Sequence, residues 1–248
     1  MKTTALLEIK GLTKTFPGIV ALDNVDLEIV EGEVHGVIGE NGAGKSTLCN
    51  IITGIYQPTK GEIYWQGKSV RFKSPEDSLA AGIRMVFQER NLIPSLTGAQ
   101  NIYLGNEVTR RGKIDEKEII ARVRKLQSDL GIDVKLDIPV SKLSTADRQL
   151  IEIMRALSRK PKLLILDEPT SSIAEKDVQV LFEVIKKIKA EGTSVIFISH
   201  KMDEIFAITD RISIFRDGQR VHTGKTSELS EDLVIKHMIN RELSHRYP

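Results

Sequence analysis

The chain has 248 residues, 40% hydrophobic and 28% charged, which is material for one sizeable α/β domain. A formal net charge of +2 argues against the strongly basic face of a nucleic-acid-binding protein, so no nucleic-acid partner is expected. One cysteine, Cys49, excludes an internal disulfide framework, and its setting among Leu48, Ile51 and Ile52 reads as a buried helical position.

In chain order, Leu7 and Ile9, then Leu22, Val25, Leu27 and Ile29, alternate with polar residues as antiparallel strands with one wet face do. Residues 34–38 form an apolar run that predicts a buried strand, followed by glycines and a helix over 45–53. Residues 62–65 with Val70 and Phe72 repeat the antiparallel pattern, with Gln66 and Gly67 as the turn. Residues 91–159 show no convincing strand and carry helical periodicity over 116–130 and 146–157, which predicts a helical insertion. Two further buried strands fall at 163–166 and 195–198, joined by a crossover helix over 176–190 whose Asp177 and Lys189 read as solvated-face charges. Two short strands around Asp217 and Gly218 precede a helix beginning near Glu231. The N-terminus lacks the apolar stretch of a signal peptide, and no run is long enough to span a bilayer, so a soluble protein of a reducing cytoplasm is expected.

Two clusters carry chemistry. Gly39, Glu40, Asn41, Gly42, Ala43, Gly44, Lys45 and Ser46 match the G-x-x-x-x-G-K-[ST] phosphate loop. Glycines let backbone N–H groups and a helix N-terminus close on an anion. Lys45 can reach the β- and γ-phosphates, Ser46 can ligate Mg²⁺, and Thr47 adds a phosphate hydrogen bond. The apolar strand at 163–166 ends in Asp167 and Glu168. Asp167 suits a Mg²⁺-holding acid beside the loop, and Glu168 a general base for water.

With Gln88 after Met85, Val86 and Phe87, and His200 after Ile198 and Ser199, these clusters stand in an order that resembles the nucleotide-binding domain of ABC transporters over the whole chain. The resemblance implies a P-loop NTPase (RecA-like) core with an antiparallel β subdomain and a helical subdomain insertion. The single domain 1–248 would divide into a core over 1–90 and 160–240, a helical subdomain over 91–159 and a tail or linker over 241–248. It further implies that Gln88 contacts Mg²⁺ or the attacking water, that His200 bonds the γ-phosphate and orients Glu168, and that Phe16 lies on the adenine. The segment from Ser171 to Glu175 would contact a second ABC ATPase domain. Transmembrane permease subunits and, indirectly, an extracellular solute-binding protein are the other implied partners, which places the chain peripherally on the cytoplasmic face of the membrane.

A finer similarity is to ATPases of ribose, galactose and xylose importers. It rests on Asn91-Leu92-Ile93-Pro94, Asn101-Ile102-Tyr103-Leu104-Gly105, Thr170-Ser171-Ser172 and Phe215-Arg216-Asp217-Gly218. Those proteins usually carry two such domains, and this chain ends just after Asn240-Arg241-Glu242-Leu243, as an N-terminal half would. The family's signature, Leu-Ser-Gly-Gly-Gln, appears as Leu143, Ser144, Thr145, Ala146 and Asp147. Ala146 is expected to hinder phosphate approach or block a backbone angle, and Asp147 to repel an anion unless Arg148 compensates. Two alternatives stay open: a nucleotide-binding regulatory half with little hydrolysis, and a soluble ABC-type ATPase without a transport role.

Overall fold

The computed structural model describes residues 5–88 and 91–239. The N-terminal alternation folds as β1 (Ala5–Phe16) and β2 (Ile19–Val30), paired antiparallel. The phosphate loop joins β3 (Val34–Gly39) to α1 (Lys45–Ile52). Then come β4 (Lys60–Trp65), β5 (Lys68–Val70), α2 (Pro75–Ala81) and β6 (Ile83–Val86). The insertion holds α3 (Gly98–Tyr103), a small hairpin of β7 (Thr109–Arg110) and β8 (Lys113–Ile114), α4 (Glu116–Leu130) and α5 (Thr145–Leu157). The hairpin corrects the strandless expectation for this region. Its pairs are only two residues long, with Arg111 and Gly112 both at positive φ, too short to give a periodic signal.

The rest alternates strand and helix: β9 (Leu163–Asp167), α6 (Glu175–Ala190), β10 (Ser194–Ile198), α7 (Met202–Ile208), β11 (Arg211–Arg216), β12 (Gln219–Lys225) and α8 (Glu231–Ile239). One sheet runs β12-β11-β3-β10-β9-β6 and is parallel except at β12. The other is antiparallel in the order β2-β1-β4-β5.

Period two decides what each face of the central sheet covers. Leu164, Leu166, Val195 and Phe197 pack toward α5 and α6, whereas Leu163, Ile165, Ile196 and Ile198 pack toward α1 and the antiparallel sheet. Helix α1 is therefore clamped between two sheets by Leu48, Cys49, Ile51 and Ile52. Cys49 is wholly buried there, and burial pushes its thiol well above its usual range, which suits a packing residue.

Lys189 keeps to the solvated face, as expected, and is paired there. Its Nζ lies 2.6 Å from Asp210 Oδ1, and Asp210 Oδ2 accepts the Val34 N–H, so the pair ties the approach to β11 onto the start of β3. The expected tail at 241–248 lies outside the described residues.

Asn101, fully buried on α3, organises residues 93–97. Its Oδ1 accepts the Ile93 N–H, and its amide donates to the carbonyls of Ile93, Leu96 and Thr97. Asn101→Ala orphans those groups, and we expect a loss of about 1–3 kcal/mol in urea denaturation.

Candidate nucleotide site

Parallel pairing places the C-terminal ends of β3, β11, β10, β9 and β6 along one edge of the sheet. Everything that follows those strands therefore meets at one cleft, the usual ligand position in such sheets. The cleft is lined by phosphate-loop residues Gly39, Glu40, Asn41, Gly42, Gly44, Lys45, Ser46 and Thr47, together with Gln88, Asp167, Glu168 and His200. Ala43 alone of the loop turns its side chain into the core.

Two loop glycines are dictated by contact. A Cβ on Gly39 would stand 2.4 Å from the Phe215 carbonyl oxygen. Gly44 has φ of 99° and caps α1, where a Cβ would stand 2.6 Å from the Ala21 carbonyl oxygen. Lys45 is only 6% exposed, and its Nζ donates to the carbonyls of Gly39 at 2.7 Å and Glu40 at 3.0 Å. Burial holds its ammonium below the ordinary lysine range, against the pull of Glu168 and Asp167.

Asp167 and Glu168 are neighbours in sequence with different surroundings. Asp167 ends β9, and burial, then the charge of Glu168, raises its carboxyl above the usual range; Lys45 and the Ser46 hydroxyl oppose that shift. Glu168 takes φ of 46°, left-handed for a side chain with a Cβ, which carries strain of about 1–3 kcal/mol. Its N–H is tied to the Ile198 carbonyl at 3.0 Å. The turn directs the carboxylate between two partners: Oε1 lies 3.1 Å from His200 Nδ1, and Oε2 accepts from Gln88 Nε2 at 3.3 Å. Gln88 thus reaches Glu168 rather than Asp167.

Some participants carried no signal in the sequence. Ile19 and Val20, 65% and 55% exposed, line the cleft from the start of β2, and Met238 of α8 lines it as well. Phe16, expected against the base, is not among the lining residues. Its ring sits edge-on to Tyr56 at 5.4 Å with the Lys14 ammonium 4.8 Å above it. Glu204 of α7 is buried, and its Oε2 accepts from both the Thr170 and Ser199 hydroxyls, at 2.6 and 2.8 Å. That carboxylate pins the loop after Glu168 to the loop that carries His200. A buried glutamate in an amphipathic helix looks like any surface acid in a sequence.

The signature residues lie elsewhere, outside this cleft. Ser144 caps α5 by accepting the Asp147 N–H at 3.1 Å, and Thr145, Ala146 and Asp147 form the first turn. Ala146 is helical, so its methyl blocks no backbone angle, which corrects that expectation. Arg148 does not compensate Asp147 either. Its guanidinium donates to the Val140 and Ser141 carbonyls, both at 2.8 Å.

The family model for ABC transporters matches residues 22–171, from β2 through the loop after Glu168. The chain belongs to the ABC transporter family. The galactose/methyl galactoside import ATP-binding protein of Clostridium perfringens is 45% identical over 98% of the chain and 47% of its own length. The chain thus spans about half the length of the curated relatives it matches. A nucleotide-free ATP-binding cassette from an ABC transporter superposes with a TM-score of 0.83 at 27% identity, covering 96% of each chain. A dimeric cassette in a post-hydrolysis state, bound to ADP and Pi, gives 0.76 at 28% identity, over 89% of this chain and 98% of the other.

Because its carboxyl is raised, ionised Asp167 destabilises the nucleotide-free fold at neutral pH, and the penalty fades as pH falls through the folded pKa. Asp167→Asn should raise the nucleotide-free melting temperature at pH 7, by about 2–4 °C for each kcal/mol relieved. The gap from wild type should shrink on acidification. A lower melting temperature for the variant would contradict this account of the carboxyl.

Proposed function

We propose that this chain is the ATP-hydrolysing half of an importer for a monosaccharide, working on the cytoplasmic face of a membrane. The observation that carries the reading is the Glu168 carboxylate, held between His200 and Gln88 at the mouth of a phosphate loop. The import function printed for the Clostridium perfringens relative supports the cargo class. Among the described residues no helix is long and apolar enough to cross a membrane, so the channel would belong to separate permease subunits.

In this reading ATP lies on the loop amides with its terminal phosphates at Lys45. Among the described residues no three His, Cys, Asp or Glu side chains gather as a metal centre. Ser46 and Asp167 instead offer a sparse, hard-oxygen donor set, which fits Mg²⁺ held by one carboxylate plus substrate phosphates. Bound there, the cation would offset phosphate charge. Glu168 accepts the proton of the attacking water, and His200, on the opposite oxygen from Gln88, keeps the carboxylate aimed. Ser144 and the first turn of α5 face a second ATPase domain and complete that domain's site, and Ser171 to Glu175 form part of the same contact. A solute-binding protein outside the cell would deliver the cargo to the permease.

Asp147 favours unequal sites. It brings a carboxylate to the helix end that would meet the partner's γ-phosphate, and Arg148 is engaged elsewhere. The site built on Lys45 keeps every group on its own side, so the weaker site would be the partner's.

Glu168→Gln preserves the hydrogen-bonding shape but removes the base. ATP binding should persist while turnover in the membrane-bound complex falls by about 10²–10⁴-fold. Undiminished turnover would remove Glu168 from its role. Nucleotide affinity unchanged in Lys45→Ala would overturn the site itself.

A further inference from the structure

Helix α8 ends at the nucleotide cleft, and its residue spacing shows how. Val234, His237 and Met238 stand three and four residues apart, which puts them on one face of the helix. Val234, alone in the helix, is fully buried, in the core against β11. Met238, half-buried, lines the cleft together with Lys45, Asp217 and Gly218. Beside it the His237 ring stacks on His222 of β12, with centroids 4.7 Å apart and planes 11° from parallel. The His237 carbonyl accepts from Arg216, the last residue of β11, at 2.7 Å. A ring stack and one hydrogen bond therefore hold the turn that carries Met238.

The cleft has a use for that side chain. Lys45, Asp167, Glu168 and His200 suit phosphates and a cation, but a nucleotide also brings a base and a sugar with apolar surface to bury. Phe16 packs on Tyr56 instead, and the larger apolar side chains on the lining are Ile19, Val20 and Met238. An unbranched thioether adapts to an aromatic ring and makes favourable sulfur contacts at its edge.

The stack is short of negative charge. Burial, then the His222 ring, Arg216 and Lys236, hold His237 below the ordinary histidine value of 6.5. The acids of the surrounding elements answer other cations or begin the helix. Asp217 faces Arg216 at 3.8 Å, Glu228 pairs with Lys225 at 2.9 Å, and Glu231 and Asp232 form the first turn of α8. Arg220, also on β12, donates to the Asp26 carbonyl and the Thr223 hydroxyl.

We infer that Met238 is a contact of the bound nucleotide and that His222 and His237 are its positioning residues, a latch that releases the end of α8 on acidification. The inference rests on the nucleotide site at Lys45 and adds a wall to it. At high pH the His237 ring is neutral whether the helix end is docked or released, and the latch is whole. As pH falls through the ordinary histidine value of 6.5, the released helix takes up the proton first, so docking weakens. Nucleotide affinity falls with it.

The test is calorimetric titration of the full chain with Mg-ADP at about pH 8 and about pH 5.5, either side of the histidine range. At the upper pH Met238→Ala should bind about three- to tenfold more weakly than wild type, and Met238→Leu should recover most of the loss. The nucleotide and the rest of the cleft are the same in every sample, so the latch is read as a difference between chains. His222→Phe with His237→Phe keeps two stacked rings that gain no proton. It should match wild type at the upper pH and bind about fivefold more tightly at the lower. Should that pair melt early, His237→Ala serves: it should bind weakly at the upper pH, and its gap from wild type should close on acidification. Equal affinity for wild type and Met238→Ala would take Met238 out of the site, and parallel pH profiles for wild type and the histidine variants would overturn the latch. Nucleotide binding itself survives both results. A wild-type chain that binds no Mg-ADP at either pH would instead sink the site at Lys45.

Discussion

A buried ammonium facing two carboxylates at the edge of a parallel sheet is the constraint on which the site depends. The loop that bears Lys45 is packed against β11 at Gly39 and against the start of β2 at Gly44. Its carbonyl partners at Gly39 and Glu40 offset desolvation incompletely, and Asp167 and Glu168 supply the remaining attraction. An anion with several charges would relieve the lysine directly, and its counter-cation would relieve Asp167, the two groups that burial shifts.

The site is supported from both faces of the central sheet. Helix α1 is packed by the antiparallel sheet on one side and by β3, β9 and β10 on the other, which sets the N-terminus of the helix against the strand ends. The left-handed backbone at Glu168 survives because its N–H is bonded across to β10 and its side chain is clamped at both oxygens. Glu204 repeats the device one layer down, binding two loops through two hydroxyls of one buried carboxylate.

The helical insertion shares the apolar core on one face of the central sheet, and polar links add to that contact. Asn101, Glu152 and Arg155 all bond backbone between residues 91 and 97.

Local chemistry was legible in the sequence wherever the physics is local. A phosphate loop requires glycines at set spacing, a buried strand must be apolar on both faces, and amphipathic helices show their period. Hence β3, β9, β10, α4 and α6, with Lys45, Asp167 and Glu168, could be identified from the residues themselves, whereas Gln88 and His200 stood out only through the family resemblance. The tertiary structure alone decided that Phe16 turns to Tyr56 while Ile19 and Val20 enter the cleft, that Arg148 serves backbone carbonyls, that Lys189 bridges to Asp210, and that His237 stacks on His222. Each of those outcomes depends on a partner distant in the chain, and a side chain's identity records its capacity for contact but not which contact the fold brings within reach.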